Sequence, residues 1–293
     1  MNIHLVDGTY ELFRAHFAVP PVAAPDGRPV SAVRGIIQTM LMLLREDGVT
    51  HVACAFDHVV ESFRNDMFDG YKTGAGTPED LMSQFDLAER AVAALGVVVW
   101  PMVEFEADDA LATAAEKWRD APNVEQVVIC SPDKDLTQMV RGSQVVCLDR
   151  RRKVTLDDAG VREKFGVPPA SIPDYLALVG DAADGIPGVP RWGAKTAAQM
   201  LDRYGHLENI PDDWEQWEVR PRGAQAVAAS LAEHREDAVL YKRLATLRLD
   251  VPLAETLEQL RWEGVPKLEY QALCAELGFE SLMDLPSRWT GEG

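Results

Sequence analysis

Seven carboxylates follow four apolar runs of this chain. Asp7 follows residues 3–6 and Asp57 follows residues 51–56. Glu106, Asp108 and Asp109 come after residues 97–103, and Asp133 and Asp135 after residues 127–130. Glu106 and Asp109 stand three apart, so a helix would put both on one face, with Asp108 turned aside. If these groups are ionised and gathered in one crevice, they repel one another. Either their pKa values rise or cations sit among them. Oxygen donors without Cys or His suit Mg²⁺ or Mn²⁺. Two such ions about 3.5–4 Å apart are the usual apparatus for in-line phosphodiester cleavage. Taken singly, each position has a plainer reading. Acids are common in first helical turns, where the helix dipole favours them, and Asp-Gly is a common turn. Asp149 shows the rule misfiring: it follows residues 144–148 but stands beside Arg150, Arg151 and Arg152, as an ion-paired bystander would.

The elements that must position these groups follow from the same runs. Residues 3–6, 51–56, 97–103, 127–130 and 144–148 are short, apolar and rich in β-branched residues, as strands covered on both faces should be. Residues 33–46, 81–95 and 108–118 carry the helical period. Strands alternating with helices predict an α/β fold with a mostly parallel sheet. In such a sheet the C-terminal strand ends share one edge, where ligands bind. The carboxylates are therefore expected at one edge.

Composition narrows the class. With 293 residues, 47% hydrophobic and 26% charged, the chain has the balance of a folded globular protein in one large or two smaller domains. No apolar stretch reaches the ~20 residues of a membrane helix. The first apolar run lacks a basic flank and is followed by Asp7, which predicts no signal peptide and a cytoplasmic protein. Cys54, Cys130, Cys147 and Cys274 form no CxxC, so neither a zinc cage nor a disulfide framework is expected. A net charge of −18 argues against a polyanionic partner unless the acid is concentrated where cations neutralise it.

From about Asp158 the strand signals stop and the pattern becomes helical. We expect a catalytic domain over residues 1–158 and a helical domain over residues 159–293. Within the latter, a Gly- and Pro-rich stretch from Gly180 to Thr196 leads into a helix over residues 197–204. It puts Lys195 and Thr196 in the first turn of that helix, fed by a turn that holds Gly188, Arg191 and Gly193, an arrangement suited to phosphate. The Walker spacing is absent, because Ala194 separates Gly193 from Lys195.

These residues carry a resemblance. In order and spacing, the chain resembles the 5′-nuclease (flap endonuclease) family, in particular the 5′→3′ exonuclease domain of bacterial DNA polymerase I and its stand-alone relatives. The motifs are Leu5-Val6-Asp7-Gly8, Ala55-Phe56-Asp57, Phe63-Arg64 with Tyr71-Lys72, Glu106-Ala107-Asp108-Asp109-Ala110, Ser131-Pro132-Asp133-Lys134-Asp135-Leu136, Gly180–Thr196 and Leu244-Ala245-Thr246. The resemblance implies a PIN-like nuclease core with a helix-three-turn-helix (helix-hairpin-helix) DNA-binding domain. It implies that Asp7, Asp57, Glu106, Asp108, Asp109, Asp133, Asp135, Asp181 and Asp184 bind Mg²⁺ or Mn²⁺, with Asp181 and Asp184 supplied by the second domain. Arg14 and Lys72 would approach the scissile phosphate, Tyr71 and Arg64 the DNA, and the hairpin would grip duplex backbone with a bound K⁺. The implied activity is structure-specific 5′ hydrolysis of DNA at flaps, recessed ends and nicks. The enzyme would work as a monomer beside a DNA polymerase in replication and repair.

Three departures from the family pattern stand out. After Tyr71-Lys72 the chain has Thr73-Gly74-Ala75-Gly76 where relatives carry an arginine, which implies a small or less basic arch. Pro132 removes a backbone N–H. Arg191 stands at a hairpin glycine position, which implies turn strain or an added phosphate contact. A paralogue that binds branched DNA without cutting would be expected to lose its carboxylates, whereas all nine are present. A metal phosphotransferase with a Toprim-type Asp-Lys-Asp leaves the hairpin unexplained.

Overall fold

The computed structural model describes residues 1–291. The chain forms two compact units that are not consecutive halves. Unit 1 holds Met1–Val60, Gly74–Ser131 and the described residues from Leu249 onward; unit 2 holds Glu61–Thr73 and Pro132–Arg248.

Unit 1 contains β1 (Asn2–Asp7), α1 (Gly8–Ala18), α2 (Ser31–Leu43), β2 (Val49–Asp57), α3 (Glu79–Met82), α4 (Phe85–Ala93), β3 (Val98–Met102), α5 (Ala107–Trp118) and β4 (Gln126–Cys130). Its four strands run parallel in the order β3-β2-β1-β4. Val6 pairs with both Cys54 and Cys130, so the C-terminal ends of β1, β2 and β4 lie at one edge. Ile3, Leu5, Val6, Ala53, Cys54, Ala55, Phe56, Val127 and Ile129 are fully or nearly fully buried. That explains the continuous apolar strands, since helices cover both faces of a parallel sheet.

Unit 2 contains β5 (Val145–Asp149) and β6 (Val154–Leu156), an antiparallel pair, then α6 (Asp158–Phe165), α7 (Ile172–Val179), α8 (Ala194–Tyr204), α9 (Ala224–Glu233) and α10 (Arg235–Ala245). The chain then returns to unit 1, where it forms α11 (Lys267–Leu277). In unit 2, α10 and α8 pack on α7. A buried carboxylate, Asp174, fastens this core: Leu207 N donates to Oδ1 at 2.8 Å, and Lys242 Nζ stands 2.7 Å from the same oxygen.

The expected strands are present, with β6 added. Residues 81–95 are two helices, α3 and α4, broken at Ser83 and Gln84. α1 was not expected, because Gly8-Thr9-Tyr10 is a weak helical start; Asp7 starts it by accepting from Tyr10 N at 2.8 Å. The four cysteines are buried free thiols. Asp149 accepts from Arg152 N at 2.9 Å and stands 3.6 Å from that guanidinium, the bystander role its neighbours implied. Among the described residues, no helix is long and apolar enough to cross a membrane.

Candidate metal centre

In unit 1 the carboxylates of the strand edge are held in place by hydrogen bonds. Asp7, at the end of β1, accepts from Tyr10 N through Oδ1 and from Ser131 Oγ through Oδ2, each at 2.8 Å. It is both a helix cap and a positioned acid. Asp57, at the end of β2, accepts from Ala107 N at 2.7 Å, while its own N–H donates to Thr9 Oγ1 at 2.8 Å. Glu106 and Asp109 form a reciprocal capping box at the start of α5. Glu106 N donates to Asp109 Oδ2 at 3.1 Å, and Asp109 is fully buried. Asp108 is half-buried between them in sequence. Asp57, Glu106 and Asp109 therefore meet at one helix N-terminus, where the dipole favours negative charge.

In unit 2, Asp135, Asp181 and Asp184 are all buried. Each can offer one carboxylate oxygen such that the three lie within 4.8 Å of one another. Asp133 is exposed and accepts from Asp135 N at 3.0 Å. Asp181 is anchored by main chain: Asp181 N and Ile186 N exchange 2.8 Å bonds with each other's carbonyls, and Ala183 N donates to Asp181 Oδ1 at 3.0 Å. Gly185 takes φ 75°, and a methyl group there would lie 2.1 Å from the Gly70 carbonyl oxygen. Next to that contact, Lys72 N donates to Asp184 O at 3.0 Å.

Two ammonium groups stand against this cluster. Lys72 Nζ is 3.0 Å from Asp184 Oδ1, and Lys134 Nζ is 2.7 Å from Asp181 Oδ2. Asp135 has no such partner; its Oδ1 is buried with no hydrogen bond among the described residues. Burial, then repulsion from Asp133, Asp184 and Asp181, pushes the Asp135 carboxyl well above the usual carboxylate range. Burial also raises Asp184, against the pull of Lys72. Desolvation opposes the Lys134 charge, but the bond and attraction to Asp181 outweigh it and raise that amine. A buried, unpaired carboxylate oxygen among like charges fits a hard divalent cation bound by oxygen.

The remaining expected residues fall differently. Arg14 is half-buried; its Nε donates to Glu11 at 2.8 Å and its Nη2 to Thr39 Oγ1 at 2.7 Å. Glu11 is 2% exposed. Arg64, expected at the DNA, is 1% exposed: Nε donates to Leu244 O at 2.8 Å and Nη2 to Thr246 O at 3.2 Å. Its guanidinium ties a carbonyl in the last turn of α10 and that of its C-cap, Thr246, so its place is that of an interior anchor. Tyr71 is likewise buried, at 4%, which leaves no exposed ring face for a base to stack on. Gly188 takes φ 75°, and its α-carbon approaches Val179 and Gly180 too closely for a side chain. Arg191 is exposed at φ 71°, the left-handed conformation that its glycine-like position implied. Gly193 is the N-cap of α8, with Lys195 exposed and Thr196 half-buried in its first turn. Trp192 and Ser230 brace this hairpin through bonds to Val227 O at 3.1 Å and Pro190 O at 2.6 Å. Sequence reasoning missed Ser131, Glu11 and Lys134; each sits beside a motif acid or base, but a one-dimensional reading does not pair them.

A family model described as "5′-3′ exonuclease, N-terminal resolvase-like domain" matches residues 2–166. One described as "5′-3′ exonuclease, C-terminal SAM fold" matches residues 167–267. DNA polymerase I of Pseudomonas aeruginosa is 37% identical over 290 residues, covering 96% of this chain and 31% of that protein. The thermostable DNA polymerase I of Thermus filiformis is 37% identical over 284 residues, covering 96% and 33%. The chain thus spans about a third of the curated relatives it matches. Among solved structures, the bacteriophage T5 D15 flap endonuclease in a pseudo-enzyme–product complex with DNA and metal ions aligns with TM-score 0.65 at 18% identity, covering 97% of this chain and 96% of that one. The catalytic core of Rad2 with DNA substrate aligns with TM-score 0.63 at 16% identity, covering 97% and 92%. These two likenesses concern the fold. The chain belongs to the 5′–3′ exonuclease family.

Proposed function

We propose that this chain is a structure-specific 5′ nuclease, a 5′→3′ exonuclease and flap endonuclease, that hydrolyses DNA phosphodiester bonds with two divalent ions, Mg²⁺ or Mn²⁺. The observation that carries this reading is the buried, unpaired Oδ1 of Asp135 beside Asp181 and Asp184. In this reading those three, Asp133, Asp7, Asp57, Glu106, Asp108 and Asp109 are the metal-binding acids. The chemistry divalent ions supply when bound is a nucleophilic water at neutral pH and neutralisation of charge on the attacking and leaving oxygens. The chain's own part is to fix the ligands and to bring cations to the phosphoryl oxygens. Arg14, oriented by Glu11, and Lys72, held beside Asp184, take that second role.

The functional division we propose is residues 1–158 for catalysis and residues 159–293 for DNA binding. The hairpin carrying Gly188, Arg191, Gly193, Lys195 and Thr196 grips duplex backbone with a K⁺ ion. The protein acts as a cytoplasmic monomer on flaps, nicks and recessed ends, alongside a DNA polymerase. The test is hydrolysis of 5′-labelled flap, nicked, blunt and single-stranded DNA with Mg²⁺ or Mn²⁺. Cleavage no greater than that of the Asp133→Ala, Asp135→Ala double variant refutes the reading.

A further inference from the structure

The acidic cluster of unit 2 is charge-compensated unevenly. Asp184 carries the Lys72 ammonium at 3.0 Å and Asp181 carries Lys134 at 2.7 Å, while Asp135 carries none among the described residues. Lys134 lies in sequence between two of the acids, Asp133 and Asp135, and its side chain is one-third exposed, whereas that of Asp181 is buried to 2%. A cation drawn into the pocket by Asp135 would need the same Asp181 carboxylate that Lys134 now holds. The two positive charges cannot both sit there without repulsion.

We propose that Lys134 is a place-holding cation: it neutralises Asp181 while the site is metal-free and gives up that carboxylate when a divalent ion binds. It is therefore a positioning residue, acting through Asp181. The proposal rests on the reading of Asp135, Asp181 and Asp184 as metal ligands. Three properties follow. Metal-free protein needs Lys134 to keep a buried Asp181 compensated. Metal binding is weakened by the competition. Once released, the flexible ammonium is free to turn to an anion, whereas a rigid planar guanidinium would swap partners less readily.

The probe is Mn²⁺ alone, with its free fraction read by electron paramagnetic resonance and with thermal unfolding followed with EDTA and with Mn²⁺. Lys134→Met is expected to bind Mn²⁺ about tenfold more tightly than the parent, a difference of about 1.4 kcal/mol. It is also expected to melt lower than the parent in EDTA and to gain more from Mn²⁺. Lys134→Arg, which keeps the charge, is expected to restore the melting point in EDTA and to bind Mn²⁺ no more tightly than the parent. A Met variant that binds Mn²⁺ equally or more weakly overturns the proposal, as does one that stays unfolded with Mn²⁺ present. If Asp181→Ala removes no Mn²⁺ binding from the parent, the ligand reading fails and the proposal falls with it. If the parent binds Mn²⁺ and only the Lys134 effects are missing, the proposal alone fails. Tighter binding by Lys134→Met in a protein that cuts no DNA upholds the proposal and refutes the nuclease reading.

Discussion

The carboxamide of Gln84 caps a helix to which it does not belong: its Oε1 accepts the backbone N–H of Ala32, the second residue of α2, at 2.9 Å. α2 has no side-chain cap of its own, and Gln84 is fully buried, with Nε2 donating to Asp80 O at 2.8 Å. Gln84→Ala leaves the buried N–H groups of Ala32 and Val33 without the oxygen they share, whereas Asp80 O keeps Ser83 Oγ. We expect a loss of about 2 kcal/mol or more, measured by urea unfolding at unchanged slope.

Asp135→Asn removes a buried like charge while keeping shape. In EDTA the variant is expected to be more stable than the parent, because burial and the neighbouring carboxylates disfavour the charged form of Asp135. The thermal shift that Mn²⁺ gives the parent should shrink or vanish in it. A destabilised Asn variant that still responds fully to Mn²⁺ contradicts the assigned role.

Burial holds the His51 imidazole below its ordinary pKa of 6.5, with Glu258 pulling the other way. The folded pKa lies below the unfolded one, so the unfolded chain binds more protons between them, and stability rises with pH. The cost is absent above pH 6.5 and appears as pH falls through that value. Between pH 7.5 and 5.5 the melting temperature of the parent should drop more than that of His51→Gln. The limiting slope from one such proton is about 1.4 kcal/mol per pH unit.

Arg64→Met should cost about 3 kcal/mol in unfolding free energy, because the buried carbonyl of Leu244 and the part-buried one of Thr246 lose their donor. Its folded form should bind flap DNA as the parent does. Weakened binding at unchanged stability would return Arg64 to the DNA surface where the motif alone had put it.

Arg191→Gly separates strain from grip. A non-glycine residue at φ 71° costs about 1 kcal/mol or more, so the Gly variant should melt higher. It should also bind duplex more weakly and lower the slope of log K against log salt by about 0.9 if Arg191 neutralises one phosphate. Arg203 and Lys72 are engaged by Glu218 and Asp184, which leaves Arg191 and Lys195 as the exposed cations of this hairpin. The overall slope should therefore be shallow.

The strand-end acids were legible because connectivity alone puts Asp7 and Asp57 after buried strands. The hairpin was legible because glycine at Gly188 and Gly193 punctuates it. Burial was not legible. The motif alone places Arg64 and Tyr71 near DNA and does not show their burial, since an arginine's donors serve carbonyls as well as phosphates. The break at Gln84 was hidden as well. Nothing in residues 81–95 shows that an amide there is needed by Ala32, far away in sequence. β6 is three residues long, too short to show a period.

At Gly185 only a hydrogen atom fits against the Gly70 carbonyl, and the Lys72 N–H reaches Asp184 beside it. The spacing between Asp184 and Lys72 is thus set by peptide links rather than by rotamers. Such a spacing is insensitive to side-chain exchange elsewhere in the unit. Lengthening either segment by a single residue, however, would uncouple the pair, which makes loop length, more than loop composition, the variable that sets this spacing.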